Sequence, residues 1–148
     1  MSRSGYTDDY DDDLALGRWR GMVASAIRGK RGQKLLTDLV AALDAMPEKS
    51  LIADDLETPT GEVCALGALG KARGIDMAKI DPEEPEQVAA AFDIAECMAA
   101  EIVYMNDEHC DFKYVDNQRV QFTPMERWQS MRDWAAKQIC ANGPASAP

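Results

Sequence analysis

The stretch Gln33-Lys34-Leu35-Leu36-Thr37-Asp38-Leu39-Val40-Ala41-Ala42-Leu43-Asp44-Ala45-Met46-Pro47 decides the fold class. Its apolar residues Leu35, Leu36, Leu39, Val40, Leu43 and Met46 recur at three- and four-residue steps, which places them on one helical face, and Pro47 ends the run. The segment before it keeps the same rhythm. Leu16, Trp19, Val23, Ala26 and Ile27 make a stripe on a helix from about Leu14 to Arg28, stopped by Gly29. Acids at Asp11, Asp12 and Asp13 suit the start of that helix, where backbone N–H groups are free. Gly29-Lys30-Arg31-Gly32 reads as a short loop that folds the two helices into an antiparallel hairpin.

Downstream the helical signal continues. Glu62 to Gly74 reads as a short helix whose Gly67 and Gly70 each cost about 1 kcal/mol in helix propensity, a loss that close packing on another backbone would offset. Asp81-Pro82-Glu83-Glu84 has the form of a helix start, and Glu86 to Asn106 is rich in helical periodicity with Asp93 as its break. Leu51-Ile52-Ala53 reads as a short strand. Phe112–Val115 and Arg119–Phe122 alternate around Asp116-Asn117-Gln118, the pattern of a β-hairpin. Thr123-Pro124-Met125-Glu126 is a capping box that opens a last helix carrying Trp128, Met131, Trp134, Ala135 and Ile139. Trp128 and Trp134 stand about 240° apart on that helix, so only one of them faces the core. The expected fold is mainly α (α+β): one compact domain over residues 12–141, with five or six helices and one or two small β-hairpins. A disordered acidic tail (1–11) is expected before it and a disordered tail (142–148) after it.

Composition agrees. A chain of 148 residues with 46% apolar and 28% charged residues can bury a core and fits one domain. No apolar run reaches the roughly 18–20 residues that cross a bilayer, and the start of the chain lacks a secretory segment, so the expected setting is cytoplasmic with no membrane contact. Cys64, Cys97, Cys110 and Cys140 show no C-x-x-C pairing and read as free thiols. A zinc set of Cys64, Cys97, His109 and Cys110 lacks paired ligand spacing, and no metal or cofactor is expected. His109 stands among Asp107, Glu108, Cys110 and Asp111 without a nucleophile at motif spacing, which reads as a polar loop and not as a catalytic centre.

Charge is segregated along the chain. Residues 14–37 carry six bases and no acid, while residues 38–111 carry eighteen acids against four bases, within a net charge of −10. Two candidate binding surfaces follow. The first is an anion or nucleic-acid contact at Arg28, Gly29, Lys30, Arg31, Gly32 and Lys34, where glycines would admit a phosphate to backbone N–H groups and cations would hold it. The second is an acidic face of Asp54, Asp55, Glu57, Glu83, Glu84 and Glu86, all outside the apolar stripes. The segment 87–102 has the apolar spacing of a helix-turn-helix, but Glu96 and Glu101 would meet DNA phosphates with no base between residues 80 and 112, so it reads as two packed helices.

Ser2-Arg3-Ser4-Gly5-Tyr6, the Arg28-to-Gly32 segment, Gly61-Glu62-Val63-Cys64-Ala65-Leu66-Gly67-Ala68-Leu69 and Arg127-Trp128 together resemble uncharacterised small acidic proteins of tailed phages and prophages. The resemblance covers most of the chain and implies a bacterial host cytoplasm, but it carries no site. The expected function is therefore binding, not catalysis: an accessory protein that engages a basic host or phage protein, such as an anti-defence inhibitor whose acidic face imitates DNA. The alternative expectation is a nucleic-acid-binding module that uses the basic segment 28–34.

Overall fold

Six helices and one antiparallel hairpin carry the chain in the computed structural model, which describes residues 3–6, 13–109 and 112–142. In chain order these are α1 (Asp13–Arg28), α2 (Lys30–Ala45), α3 (Ala65–Arg73), α4 (Pro85–Phe92), α5 (Glu96–Asp107), β1 (Phe112–Val115), β2 (Gln118–Gln121) and α6 (Pro124–Asn142), with a 3-10 turn at Met77–Lys79. The protein is mainly α.

α2 is the centre of the bundle. It packs on α1, α3 and α6, and its Leu35, Leu36, Leu39 and Leu43 are fully buried. Each such leucine contributes about 1.5–3 kcal/mol by leaving water. From α6 come Trp128, Met131 and Ala135. Trp128 is the core tryptophan, and its indole N–H donates to the Leu43 carbonyl at 3.1 Å. Trp134 packs partly buried at the edge. A second layer forms where α5 packs on α1, α3 and α4 through Met98, Ile102 and Phe92. Leu16, expected in the buried stripe of α1, is exposed instead, while Val23 and Ile27 carry the contact near the helix's C-terminal end.

Capping explains several boundaries. Thr123 Oγ1 accepts the Glu126 N–H at 3.1 Å and Glu126 returns the bond to the Thr123 N–H at 3.0 Å, the reciprocal pair expected at the start of α6. Gly74 closes α3 in the left-handed region, and Asp93 takes the same conformation at the end of α4, which separates α4 from α5. Gly67 has no room for a side chain: a Cβ there would stand 1.9 Å from the Leu56 carbonyl oxygen.

Four local expectations are corrected. Asp81 does not open a helix; its carboxylate accepts the Glu83 N–H, and α4 begins after Glu84 with Pro85 at its first position. Leu51-Ile52-Ala53 forms no strand, because the Leu51 and Ile52 N–H groups go to Pro124 and Val63, on two different segments. The hairpin turn is Asp116-Asn117 alone, so β2 starts at Gln118. The expected disorder of residues 1–11 does not hold for Arg3–Tyr6. Arg3 and Ser4 are buried, because they find carboxylate partners in Asp107 at the end of α5 and in Glu108, which caps it. The remainder of that tail, apart from residues 3–6, and residues 143–148 lie outside the described residues.

Candidate functional site

The basic segment does not form the expected loop. The connection between α1 and α2 is the single residue Gly29, and Lys30, Arg31 and Gly32 are the first turn of α2. Gly32 is buried there because a Cβ would lie 2.1 Å from the Ala26 carbonyl oxygen, so its smallness serves helix–helix contact and not approach to a phosphate. Lys30, Arg31 and Lys34 still border one concavity of about 420 Å³, joined by Arg73 from α3, which the sequence did not single out. Two carboxylates enter the same space. Arg31 pairs with Asp93 at 3.2 Å, while Asp38 takes both Lys34 (3.3 Å) and Arg73 (2.9 Å). The Arg73 hydrogen bond is the main reason that the Asp38 carboxyl is held below its ordinary range. Arg28 and Lys30 are exposed and have no ion-pair partner among the described residues. Much of the charge that would attract an anion is thus already paired inside the protein.

The acidic candidates are better assembled. Asp55, Glu57, Thr58, Pro59 and Gly61 face Met77, Ala78, Ile80 and Pro82 across a groove of about 590 Å³. Its floor is apolar, with Met77 buried and Ile80 and Pro82 half-buried. Glu57 pairs with Lys71 at 3.2 Å and Asp55 accepts the Leu56 N–H. Beyond Pro82 the chain runs through Glu83, Glu84 and Glu86, all exposed and with no ion-pair partner among the described residues. Asp54, also exposed, sits in the left-handed region, and its N–H donates to Asp107 at 3.3 Å.

A third cluster escaped the sequence reading. Arg3 enters the body of the protein with a side chain only 2% exposed and clamps Asp107 bidentately, Nε to Oδ2 at 2.5 Å and Nη2 to Oδ1 at 2.8 Å. Burial penalises the guanidinium charge, but the neighbouring Cys64 and Asp107 more than offset this and hold Arg3 above its ordinary range. Its Nη1 is buried without a hydrogen-bond partner. Ser4 donates to Glu108 at 2.7 Å. Tyr6 donates to Glu101 at 2.9 Å and accepts the Trp19 indole N–H at 2.9 Å, and Arg20 forks onto the same Glu101. Burial, then the Glu101 charge, push the Tyr6 hydroxyl up, against the lowering pull of the Trp19 bond. Asn106 ties the cluster to two other segments, accepting the Ala65 N–H at the start of α3 and donating to the Ile52 carbonyl, and it also donates to the neighbouring Asp107. Arg127 of α6 donates to the Asn106 and Asp107 carbonyls, which close the end of α5. The one sequence signal was the density of acids from Glu101 to Asp111, which nothing local paired.

Comparison with family models, curated proteins and solved structures finds no match. The reading of the site rests on its geometry.

Of the thiols, Cys64 caps α3 by accepting the Gly67 N–H, and burial pushes the Cys97 thiol up; Cys110 and the Cys140 side chain lie outside the described residues. His109 is exposed, with its backbone N–H bonded to Tyr104. Among the described residues no group of three metal-ligating side chains converges, and no helix is long and apolar enough to cross a membrane.

Proposed function

We propose that this protein acts by binding a basic protein partner in the groove between residues 55–61 and 77–82. The observation that carries this reading is the pairing of an apolar floor (Met77, Ile80, Pro82) with acids at its edges and beyond, most of them without an internal cation. An apolar centre with a charged rim is the anatomy of a recognition surface, in which the rim sets partner choice and encounter rate. The competing reading, an anion site at Lys30, Arg31 and Lys34, is weakened by Asp93 and Asp38, which already pair with Arg31 and Lys34. The resemblance to phage and prophage proteins supplies the context: the partner is a host or phage protein that itself handles nucleic acid, and the acidic rim stands in for a phosphate backbone, as an anti-defence inhibitor would require.

The test uses immobilised full-length protein, bacterial lysate and mass spectrometry to identify the partner, followed by binding kinetics. The triple reversal Glu83→Lys, Glu84→Lys and Glu86→Lys is expected to slow association by about tenfold or more while changing dissociation little. DNA is expected to compete for the partner. An association rate indifferent to the reversal would remove this reading and leave the acids as a solubilising face.

A further inference from the structure

The β-hairpin is the least buried regular element of the described chain. All eight strand residues are exposed, yet they include Phe112, Tyr114, Val115 and Val120. The Asp116-Asn117 turn, with both residues at positive φ, gives the tight two-residue connection that fixes the register. That register pairs Phe112 with Gln121 and Tyr114 with Arg119, so the four side chains share one face. The other face carries Lys113, whose ion pair with Glu126 ties it to α6.

On the first face the aromatic and cationic side chains contact one another. Phe112 and Tyr114 meet edge to face at 5.7 Å, and the Arg119 guanidinium stacks over the Phe112 ring at 3.8 Å. Arg119 has no carboxylate partner among the described residues. Tyr114 is 68% exposed, a large wet aromatic surface for a ring whose aromatic neighbour among the described residues is Phe112, on the same strand. Within the hairpin Lys113 and Arg119 stand against one acid, Asp116, a balance opposite in sign to that of the whole protein.

We propose that the face formed by Phe112, Tyr114, Arg119 and Gln121 is a stacking platform for single-stranded nucleic acid. Ring faces accept bases of any sequence, a stacked arginine answers a phosphate, and the Gln121 amide can both donate to and accept from a base edge. Tyr114, the more exposed of the two rings, offers the stacking face, with the Arg119 charge beside it over Phe112. An acidic peptide would use only the Arg119 charge and leave the rings idle. This surface is independent of the acidic groove and stands or falls separately from it.

The test is fluorescence anisotropy of labelled oligonucleotides of about 12 nucleotides, one single-stranded DNA, one single-stranded RNA and one DNA duplex, against the full chain at about 50 mM salt. Single strands of either sugar are expected to bind more tightly than the duplex, whose bases are not free to stack. Tyr114→Ala is expected to weaken single-strand binding by about 5- to 100-fold, and Tyr114→Phe, which keeps the ring, by no more than about twofold. Arg119→Ala should also flatten the salt dependence, by about one ion's worth of slope. Circular dichroism checks that the exposed substitutions leave the fold intact. Three results would each overturn the proposal: no single-strand binding, binding lost in Lys30→Ala/Arg31→Ala but kept in Tyr114→Ala, or a poly-glutamate peptide bound as tightly as the oligonucleotides.

Discussion

The N-terminal segment Arg3–Tyr6 and the hairpin Phe112–Gln121 invert what hydropathy alone would assign. The first has no regular secondary structure and is built of Arg, Ser, Gly and Tyr, yet Arg3 is 5% exposed and Ser4 3%. The second is regular, rich in aromatic and β-branched residues, and exposed along both strands. The difference lies in available partners. α5 ends at Asp107 with Glu108 as its cap and Glu101 nearly two turns earlier, and buried or half-buried carboxylates of this kind need cations and hydroxyls within reach. Arg3, Ser4, Tyr6 and Arg20 do so. No comparable demand draws the hairpin inward, because it carries no buried charge that needs a partner, and its apolar side chains stay in water at the cost of their burial energy.

The largest expected effect comes from removing the buried cation. Arg3→Ala leaves Asp107 charged and unpaired and is expected to cost about 3 kcal/mol or more of unfolding free energy, read by urea denaturation. A loss below about 1 kcal/mol would reduce the contact to the rank of a surface ion pair and erase the contrast with the hairpin. Tyr6→Phe comes next. It removes the acceptor of Trp19 and the donor to Glu101, at a cost of about 1 kcal/mol near neutral pH. It also has a pH signature. The folded protein holds the Tyr6 proton more tightly than the unfolded chain, whose tyrosine titrates near its ordinary 10.0. Below that value the group gives no pH dependence; above it the unfolded chain sheds a proton that the folded chain keeps, so stability falls as pH rises. Tyr6→Phe is expected to remove that alkaline fall, and a profile unchanged above pH 10 would place the hydroxyl in water.

Effects in the hairpin should be smaller. Tyr114→Ala and Val120→Ala are expected to move the melting free energy by no more than about 0.5 kcal/mol. A loss above about 1 kcal/mol would mean that the hairpin supports the core and is not a projecting element. Smallest of all, Asn117→Gly relieves a side chain held at φ 65 and should stabilise by a few tenths of a kcal/mol, visible as a slight rise in melting temperature.

Local rhythm made most of the helices legible. Leu35 to Leu43, the Thr123–Glu126 box and the Asp93 break all announce themselves within a few residues, because the forces that set them act over one or two turns. Gly32 misled for the same reason. A glycine beside two cations looks like a loop, and only the tertiary approach of Ala26 shows why it sits inside a helix. The acidic wall of the groove was legible as charge, whereas its apolar floor was not, since Met77 opens a three-residue 3-10 turn and Ile80 follows it, a segment too short for a readable period. The cluster around Arg3 was invisible. Its partner lies 104 residues away, and no local pattern encodes such a bond.

That separation has a consequence for synthesis. Arg3 is synthesised before the carboxylate that will hold it, which follows 104 residues later. At about 5–20 residues per second, the arm spends on the order of 5–20 s without its partner. The bundle's N-terminal helical pair can form in that interval, but the arm cannot lock. Its docking is therefore the late step of folding, taken when α5 is already in place, and it records that the chain has been made at least as far as Asp107.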